Sequence, residues 1–374
     1  MTGRIAAVIP CAGFSSRMGT FKPLLSLWGR PLIVRVIETV RSVAVEEPLV
    51  VVGHRAEELA PVIESAGARV LRNPDFAQGM YSSIRIGVTH LAHTCDAFFL
   101  LPADIPLVRP ATFERLAEAW RLQPGHILYP VFSGRRGHPP LIPASLIPSV
   151  LEHSGGGGLR AVLAHYEAQV IEVPVADENI LFDVDRPEDY DTAVERFARM
   201  GDPSPAECEA ILCDVYPAAE DIVRHSRQVQ RAAMAICRAL NQTGAGLDEA
   251  RVAAAALLHD IAKGASDHAR TGGLLIKSLG FGGVADIVAA HTELPENEMR
   301  HPNEAAVVYL ADKLVAKDRF VSLESRFEDA FQRFENDPAA RSAIERRQAA
   351  AMAVKALVEQ RIGLSLPQLL SEGE

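Results

Sequence analysis

The chain has 374 residues, 48% hydrophobic and 23% charged, with a formal net charge of −10 and a pI of about 5.7. An acidic chain of this kind argues against nucleic-acid backbone or an anionic membrane surface as the main partner. No apolar run reaches the length of a membrane span and no signal peptide precedes the first strand, so we expect a cytoplasmic protein. The length predicts two domains.

The first half of the chain alternates short apolar strands with amphipathic helices. Strands are predicted at residues 6–9, 49–52, 69–71, 97–101, 127–131 and 170–175, and helices, for example, at 31–43 and 110–121. Continuous apolar strands separated by helices favour a mainly parallel sheet that is covered on both faces. We therefore predict a three-layer, Rossmann-like α/β domain over residues 1–200, with its ligand at the carboxyl ends of the strands.

A loop of small residues directly follows the first strand and is expected to hold a polyphosphate. Its candidate phosphate contacts are Ala12, Gly13, Ser15, Ser16, Arg17, Gly19 and Lys22. Small residues let backbone N–H groups approach an anion, and Arg17 and Lys22 add positive charge. Lys22 does not directly follow Gly19, as a Walker loop requires, and the segment has no Gly-x-Gly-x-x-Gly run. An ordinary strand-to-helix turn remains the alternative.

Three carboxylates follow predicted strands or precede a predicted helix. Asp104 comes after the strand at 97–101, where it could hold Mg²⁺, although an acidic turn residue is the simpler interpretation. Asp183 and Asp185 precede a helix expected to start at Pro187. We predict Asp183 as a metal ligand and Asp185 as the helix cap.

Two further polar segments suit a nucleotide and an acceptor. Gly79, Ser82 and Ser83 open a predicted helix and could contact a base or ribose. The loop containing Arg136, Gly137 and His138 is cationic and glycine-bearing, which suits an anionic acceptor. A basic hairpin without a ligand is the alternative for this loop.

Taken together, these segments over residues 4–197 resemble the MobA-like molybdenum cofactor nucleotidyltransferases, most closely the cytidylyltransferases. The shared pattern is Ala-Gly-x-Ser-x-Arg-Met-Gly with a downstream Lys, Asn-Pro with Gly-Met-x-x-Ser, Arg-Gly-His-Pro, and Asp-x-Asp-x-Pro-Glu-Asp-Tyr. The resemblance implies transfer of a nucleoside monophosphate from CTP, or another NTP, to molybdopterin with release of pyrophosphate. Catalytic roles for Arg17, Lys22 and Asp104, Mg²⁺ on Asp104 and Asp183, and a molybdoenzyme or its chaperone as a further partner are also implied.

The sequence departs from that family pattern at two places. Cys11 stands where the family has alanine, and the usual Gly-Asp-x-Gly-Ala-Arg is here Ser-Gly-Gly-Gly-Gly-Leu-Arg at residues 154–160. Arg160 is kept and is predicted to contact the acceptor, but the carboxylate is missing. A sugar phosphate or another small acceptor therefore remains an alternative to molybdopterin.

The second half of the chain carries helical periodicity after a break at residues 201–205. Helices are predicted at residues 205–241, 248–263, 268–279, 284–291, 303–318, 323–336 and 338–361. The pattern predicts an all-α domain over residues 205–374.

Histidine and aspartate residues in this half form a candidate metal site. The adjacent His259 and Asp260, near a predicted helix end, can reach a common ion if other helices complete the shell. His225 and Asp312 are the natural additional ligands, although a His-Asp pair alone is a weak signal.

This set resembles the HD-superfamily metal-dependent phosphohydrolases over residues 215–325. The resemblance implies a divalent transition metal such as Fe or Mn, with His268 and His291 as ligands for a second ion and Lys263 as the contact for a substrate phosphate. Spacing alone leaves one or two ions equally open. A nucleotide- or metal-binding sensor without turnover is the alternative function.

Overall fold

A computed structural model describes residues 3–43 and 47–371 of the chain. The chain divides into two compact units, Met1–Arg199 and Met200–Glu374. Among the described residues, no helix combines the length and apolarity needed to cross a bilayer.

The first unit is built on one mixed sheet, which a short separate hairpin accompanies. Its strands are β1 (Ile5–Cys11), β2 (Ser26–Leu27), β3 (Arg30–Pro31), β4 (Leu49–Val52), β5 (Arg69–Arg72), β6 (Ala97–Leu100), β7 (Ile127–Phe132), β8 (Arg135–Arg136), β9 (Leu141–Pro143) and β10 (Val170–Pro174). The strand order is β10-β7-β9-β6-β1-β4-β5, with β8 paired to β7, while β2 and β3 form a separate hairpin. Neighbours are parallel except where β9 pairs with β6 and β7, and β8 with β7.

Helices cover both faces of this sheet. They are α1 (Leu32–Ser42), α2 (Ala56–Ser65), α3 (Met80–Leu91), α4 (Pro110–Leu122), α5 (Ile147–Glu152), α6 (Gly158–Ala164) and α7 (Pro187–Ala198). The neighbouring residues Phe98 and Phe99 in β6 are both buried. Phe98 belongs to the core cluster beneath α3, α5 and α6, whereas Phe99 stacks edge-on against Phe113 of α4 at 5.0 Å. Because successive strand residues point to opposite faces, both faces are packed, which confirms the predicted α/β fold.

The predicted parallel strands are present, but the antiparallel strands β8 and β9 were not predicted. Each has only two or three residues, and β9 follows the Pro139-Pro140 pair, so neither produces the long apolar run that marks a buried parallel strand. The antiparallel β9 separates the two parallel parts of the sheet.

Close packing brings α3 against the central strand. A Cβ placed on Gly87 of α3 would lie only 2.4 Å from a methyl carbon of Val8 in β1, so this position requires glycine. The ends of the neighbouring strands then converge: the Ala103 N–H donates to the Pro10 carbonyl at 3.1 Å, and the Val184 N–H donates to the Asp104 carbonyl at 2.8 Å. The carboxyl edge of the sheet thus gathers the loops with the predicted polar residues.

The second unit is helical, as predicted. Its helices are α8 (Pro205–Ala210), α9 (Glu220–Gln242), α10 (Glu249–Leu258), α11 (His268–Ser278), α12 (Gly282–Ala290), α13 (Glu304–Lys313), α14 (Leu323–Arg333), α15 (Pro338–Ile362) and α16 (Leu366–Ser371). A two-stranded hairpin, β11 (Val315–Ala316) and β12 (Arg319–Phe320), follows α13.

The helix bounds differ most from prediction at three places. The helix expected at 205–241 is interrupted by a π-helical turn at Ile211–Val215 and by Pro217, which lacks the N–H needed to continue a helix. The helix expected at 248–263 ends at Leu258. The one expected at 303–318 ends at Lys313, because the chain turns into the β11–β12 hairpin.

Candidate functional site

The first candidate site is a cleft at the carboxyl edge of the sheet in the first unit, with a volume of about 380 Å³. Its lining includes the loop residues Ala12, Gly13, Ser15, Ser16 and Arg17 together with Lys22, Gly79, Ser83, Asp104 and Asp185. The loop is shaped locally by the positive φ angles of Ser15 and Gly19, and the Ser15 hydroxyl accepts a hydrogen bond from the Lys22 N–H at 3.3 Å. The structure therefore brings most residues of the predicted phosphate loop to one cleft.

Lys22 is the centre of the charge network in this cleft. Its ammonium donates to Asp104 Oδ2 at 3.1 Å and to Asp185 Oδ1 at 2.9 Å, and the other Asp185 oxygen accepts from Arg17 at 2.9 Å. Burial disfavours the charged form of Lys22, but the two carboxylates overcome this and raise its pKa. The hydrogen bond from Lys22 lowers the pKa of Asp185. Two cations and two carboxylates thus face one another where a charged ligand would bind.

Asp185 and Asp183 have different surroundings from those predicted. The prediction that Asp185 caps the helix is wrong, because α7 begins at Pro187 and Asp189 Oδ2 accepts from the Asp185 and Arg186 N–H groups instead. Asp185 is free to face Lys22 and Arg17. Asp183 is exposed and is not part of the cleft lining, so its role as a metal ligand stays a prediction.

The segment before α3 is held by a buried asparagine. Asn73 donates to the hydroxyls of Ser82 and Ser83 at 2.8 and 2.9 Å and accepts from the Asp75 N–H. Gly79, with φ of 99°, then starts the helix. Gly79 and Ser83 line the cleft, whereas Ser82 also bonds to backbone carbonyls of this turn.

The predicted acceptor loop lies outside the cleft lining. The Arg136 guanidinium donates to Glu167 and Glu172, at 2.6 Å and 2.7 Å. Gly137 packs so closely that a Cβ there would lie 2.5 Å from the Ile180 carbonyl oxygen. His138 is largely buried, which lowers the pKa of its ring. Arg160 lies exposed on α6.

Three large apolar side chains of the cleft, those of Phe14, Phe76 and Met80, were not predicted as site residues. Phe14, from the phosphate loop, is 55% exposed and lies 5.2 Å, centroid to centroid, from Phe76. Met80, at the start of α3, is also exposed. A large apolar residue among small and polar neighbours, such as Phe14 between Gly13 and Ser15, is the sequence signal that could have found them.

The second candidate site is a cluster of four histidines and two aspartates in the second unit. Five helices supply it: His225 lies in α9, His259 and Asp260 directly follow α10, His268 starts α11, His291 directly follows α12, and Asp312 lies in α13. His259, Asp260, His291 and Asp312 are buried. All six ligands predicted from the sequence meet here.

Asp260 lies between two groups of histidines. Its Oδ2 is 3.8 Å from His225 Nε2 and 3.5 Å from His259 Nε2, while its Oδ1 is 3.4 Å from His268 Nε2 and 3.6 Å from His291 Nε2. With Asp260, the first group is His225 and His259 and the second group is His268 and His291. Within each group the ligand atoms lie within 4.8 Å of one another. Asp312 Oδ1 adds a fourth ligand to the first group, at 3.3 Å from His225 Nε2. The geometry suits two ions that share Asp260.

Backbone carbonyls fix the orientation of three of these rings. The Nδ1 atoms of His225, His259 and His291 lie 2.7, 2.8 and 2.6 Å from the carbonyl oxygens of Lys317, Ala256 and Val288, respectively. A proton on Nδ1 leaves Nε2 with a free lone pair, which is the usual arrangement of metal-binding histidines.

The buried polar atoms of the cluster also fit a metal. Within the described residues, His259 Nε2 and Asp260 Oδ1 are buried without a hydrogen-bond partner. Unpaired buried polar atoms are costly and require an explanation, and a mixed imidazole and carboxylate set is suited to divalent transition metals. The residues therefore fit a divalent metal ion.

Two lysines contact the aspartates of the cluster. Lys263, the predicted contact for a substrate phosphate, is half-exposed and donates to Asp260 Oδ2 at 2.8 Å. Lys313, which is buried and was not predicted, donates to Asp312 Oδ2 at 2.6 Å. Burial opposes ionisation of Asp312, but Lys313 and the neighbouring histidines hold its pKa well below the usual range.

Comparison with known proteins agrees with the division into two units. Residues 7–170 match the MobA-like NTP transferase domain, and residues 222–317 match the HD domain. Molybdenum cofactor cytidylyltransferase of Escherichia coli (strain K12) is 27% identical over 197 residues, covering 52% of this chain and 98% of the relative. Nicotine blue oxidoreductase of Paenarthrobacter nicotinovorans is 31% identical over 190 residues, covering 48% and 92%.

Among solved structures, Rv0371c of Mycobacterium tuberculosis H37Rv is similar, with 22% identity and a TM-score of 0.47 over 52% of this chain and 99% of that chain. The two family matches confirm both resemblances stated from the sequence, and the E. coli relative agrees with the first of them. The chain therefore carries a MobA-like NTP transferase domain in its first unit and an HD domain in its second unit.

Proposed function

We propose that the first unit transfers a nucleoside monophosphate from CTP to the terminal phosphate of molybdopterin and releases pyrophosphate. The observation that carries this proposal is the pairing of Lys22 and Arg17 with Asp104 and Asp185 inside the cleft. Cations for a triphosphate and carboxylates for its counter-ion lie within hydrogen-bonding distance of each other. The name of the E. coli relative supports the choice of nucleotide and acceptor.

The side chains of the cleft perform this transfer by positioning and charge stabilisation. An acceptor phosphate oxygen attacks the α-phosphorus in line, the bond to the leaving pyrophosphate breaks, and no covalent enzyme intermediate is needed. Lys22 and Arg17 offset the charge that accumulates on the phosphoryl oxygens. The Gly13 and Ser16 region of the loop supplies small residues that let the triphosphate approach the backbone.

The carboxylates of the cleft fit Mg²⁺. Asp104 and Asp185 both reach one ammonium nitrogen, so their oxygens already converge, and oxygen ligands are those that Mg²⁺ prefers. The chemistry that Mg²⁺ supplies is neutralisation of the phosphates. Asp183 remains the predicted further ligand from the loop.

A transfer assay of the full chain tests the proposal. CTP, GTP, ATP and UTP are each offered with molybdopterin or with a sugar 1-phosphate, and pyrophosphate release and the nucleotide product are measured. We expect turnover with CTP and molybdopterin, and its loss in Asp104→Ala but not in Asp191→Ala, an exposed aspartate of α7. Turnover with sugar phosphates only would show that the acceptor is a sugar phosphate and not molybdopterin. Unchanged turnover in Asp104→Ala would reject the proposed site.

We propose that the HD domain is a metal-dependent phosphohydrolase that uses two divalent ions, iron or manganese. The observation that carries this proposal is the pair of ligand groups that share Asp260. The chemistry such ions supply is polarisation of a phosphoryl oxygen and acidification of a water molecule. Lys263, which is half-exposed beside Asp260, is placed to bind a substrate phosphate.

A metal and substrate screen separates hydrolysis from sensing. The full chain is loaded with Mn²⁺ or Fe²⁺ and tested against phosphomonoesters, phosphodiesters and nucleotides. We expect turnover that is lost in Asp260→Ala and kept in His301→Ala, an exposed histidine outside the cluster. Tight metal binding without turnover of any substrate would favour the sensor.

A further inference from the structure

A buried lysine at the end of α13 contacts two of the candidate metal ligands, Asp312 and His291. Lys313 is only 8% exposed, and its ammonium donates to Asp312 Oδ2 at 2.6 Å and to the His291 carbonyl at 2.9 Å. It also lies 4.7 Å from the centre of the Tyr309 ring. A buried lysine is rare unless it is paired, so its partners define its role.

This contact divides the two oxygens of Asp312 between different tasks. Oδ2 is occupied by Lys313, whereas Oδ1 lies 3.3 Å from His225 Nε2 and 3.6 Å from His259 Nε2. Asp260 differs, because each of its oxygens faces a pair of histidines, and the lysine that donates to its Oδ2, Lys263, is half-exposed instead of buried. Asp312 therefore presents one oxygen to the first metal position, and Asp260 presents one oxygen to each of the two positions.

We propose that Lys313 is a positioning residue that keeps Asp312 a one-oxygen ligand, so that a coordination position of the first metal stays open to water or phosphate. The inference rests on the metal centre of the proposed function. A carboxylate with both oxygens free can bind an ion through one or both, and catalytic metal sites need an open position. Because Lys313 is buried and is also held by the His291 carbonyl, its hydrogen bond to Oδ2 is fixed in place and disfavours the second mode.

Electrostatics separates this role from plain structural support. An ammonium close to a divalent ion repels it, so the charge of Lys313 by itself opposes metal binding. If Lys313 only supports the fold, its removal loosens the ligands and metal binding weakens. If Lys313 restricts Asp312, its removal frees an oxygen and removes a positive charge, and metal binding becomes tighter.

Cobalt binding to the full chain tests whether removal of Lys313 weakens or tightens metal binding. Co²⁺ is titrated into the protein and into Lys313→Met, and the visible spectrum of a His259→Ala, Asp260→Ala variant is subtracted to remove ions held elsewhere. We expect Lys313→Met to bind Co²⁺ about tenfold more tightly, because a charge is lost and a ligand oxygen gained. Its absorbance per cobalt should fall, since intensity falls as coordination number rises. Lys313→Arg and Lys277→Met, an exposed lysine of α11, should keep the original spectrum.

An unchanged absorbance per cobalt in Lys313→Met, whatever the change in affinity, would overturn the inference while leaving the metal centre intact. Failure of the unaltered protein to bind Co²⁺ would instead reject the metal centre itself. If Lys313→Met does not fold, infrared spectra of the unaltered protein distinguish one-oxygen from two-oxygen binding by Asp312, through the carboxylate bands that appear on metal addition. A widely split pair that disappears in Asp312→Asn shows one-oxygen binding, and a narrowly split pair overturns the inference.

Discussion

In the first unit the cations and carboxylates of the cleft form ion pairs with one another, whereas in the second unit four histidine rings converge on two aspartates. Lys22 joins Asp104 and Asp185, and Arg17 joins Asp185, at a partly exposed edge. The HD cluster is buried, and carbonyl groups orient its rings from behind.

This difference separates a site that exchanges partners from a site that is preorganised. In the cleft a triphosphate can take the cations and its counter-ion can take the carboxylates, so binding replaces ion pairs with ion pairs. In the HD cluster the orientation of three rings is already set by backbone carbonyls, and a bound cation would satisfy the inward-facing nitrogens and oxygens together. We therefore expect mutations in the cleft to act on nucleotide turnover and those in the cluster to act on metal content.

The largest expected effect comes from removing the central cation of the cleft. Lys22→Met should lower kcat/KM for nucleotidyl transfer by about 10²- to 10³-fold, since one charged donor to the developing phosphoryl charge is lost. Lys22 is the only lysine among residues 1–199, so no neighbouring lysine can replace it. The measurement is pyrophosphate release under initial-rate conditions.

Arg121→Met, at the exposed end of α4, is the control for loss of a surface cation. It should keep full activity. Equal losses in both variants would mean that the transfer does not depend on the Lys22 ammonium, and the partner-exchange view of the cleft would fail.

The next effect concerns the number of ions in the HD cluster. His291→Ala removes a ligand from one group only, so bound manganese should fall from two equivalents to one, while Asp260→Ala should lose both. Hydrolysis by His291→Ala should fall by about 10- to 100-fold, the loss typical when the surroundings of a metal are disturbed. Metal analysis after gel filtration checks this, with His301→Ala as the matched control. Two equivalents in His291→Ala would remove the second site.

The HD cluster was more predictable from sequence than the cleft. Histidine and aspartate are few and chemically distinctive, so His225, His259, Asp260, His268, His291 and Asp312 could be named from motif and spacing. Lys313 could not, because burial of a lysine depends on the packing of α13 and not on a local pattern. In the cleft, Asp183 and Asp185 are only two residues apart, and their spacing does not show which of them faces Lys22. Asp189 accepts hydrogen bonds from the N–H groups at the start of α7, so the Asp185 side chain is not used as a cap.

The fold follows the same division. Long buried strands such as β1 and β6 produce clear apolar runs and were predicted, whereas β9 is a three-residue strand whose place between β6 and β7 depends on tertiary pairing. The helix predicted at 205–241 from its apolar periodicity is too long, because the π-helical turn and Pro217 interrupt it.

A smaller effect tests whether carboxylates compete with the triphosphate for the cations. Asp185→Asn releases Arg17 and one bond of Lys22, so CTP should bind about tenfold more tightly in EDTA, because a competing negative charge is removed. With Mg²⁺ present, turnover should fall, since a candidate metal ligand is lost. Calorimetric titration with and without Mg²⁺ measures both effects. Weaker CTP binding in EDTA would show that Asp185 supports the cations and does not compete for them.

The smallest effect is expected at Arg136, although the family pattern places an arginine there for the acceptor. Its guanidinium is held by Glu167 and Glu172, lies over Tyr129, and is outside the cleft lining. Exposed ion pairs contribute little, so Arg136→Ala should change the acceptor KM by no more than about threefold and leave the KM for CTP unchanged. A tenfold or larger rise in the acceptor KM alone would show that the acceptor draws Arg136 away from the two glutamates. In that case Glu167→Gln, which weakens the competing pair, should lower the acceptor KM, and the cleft would exchange ion pairs at both of its substrates.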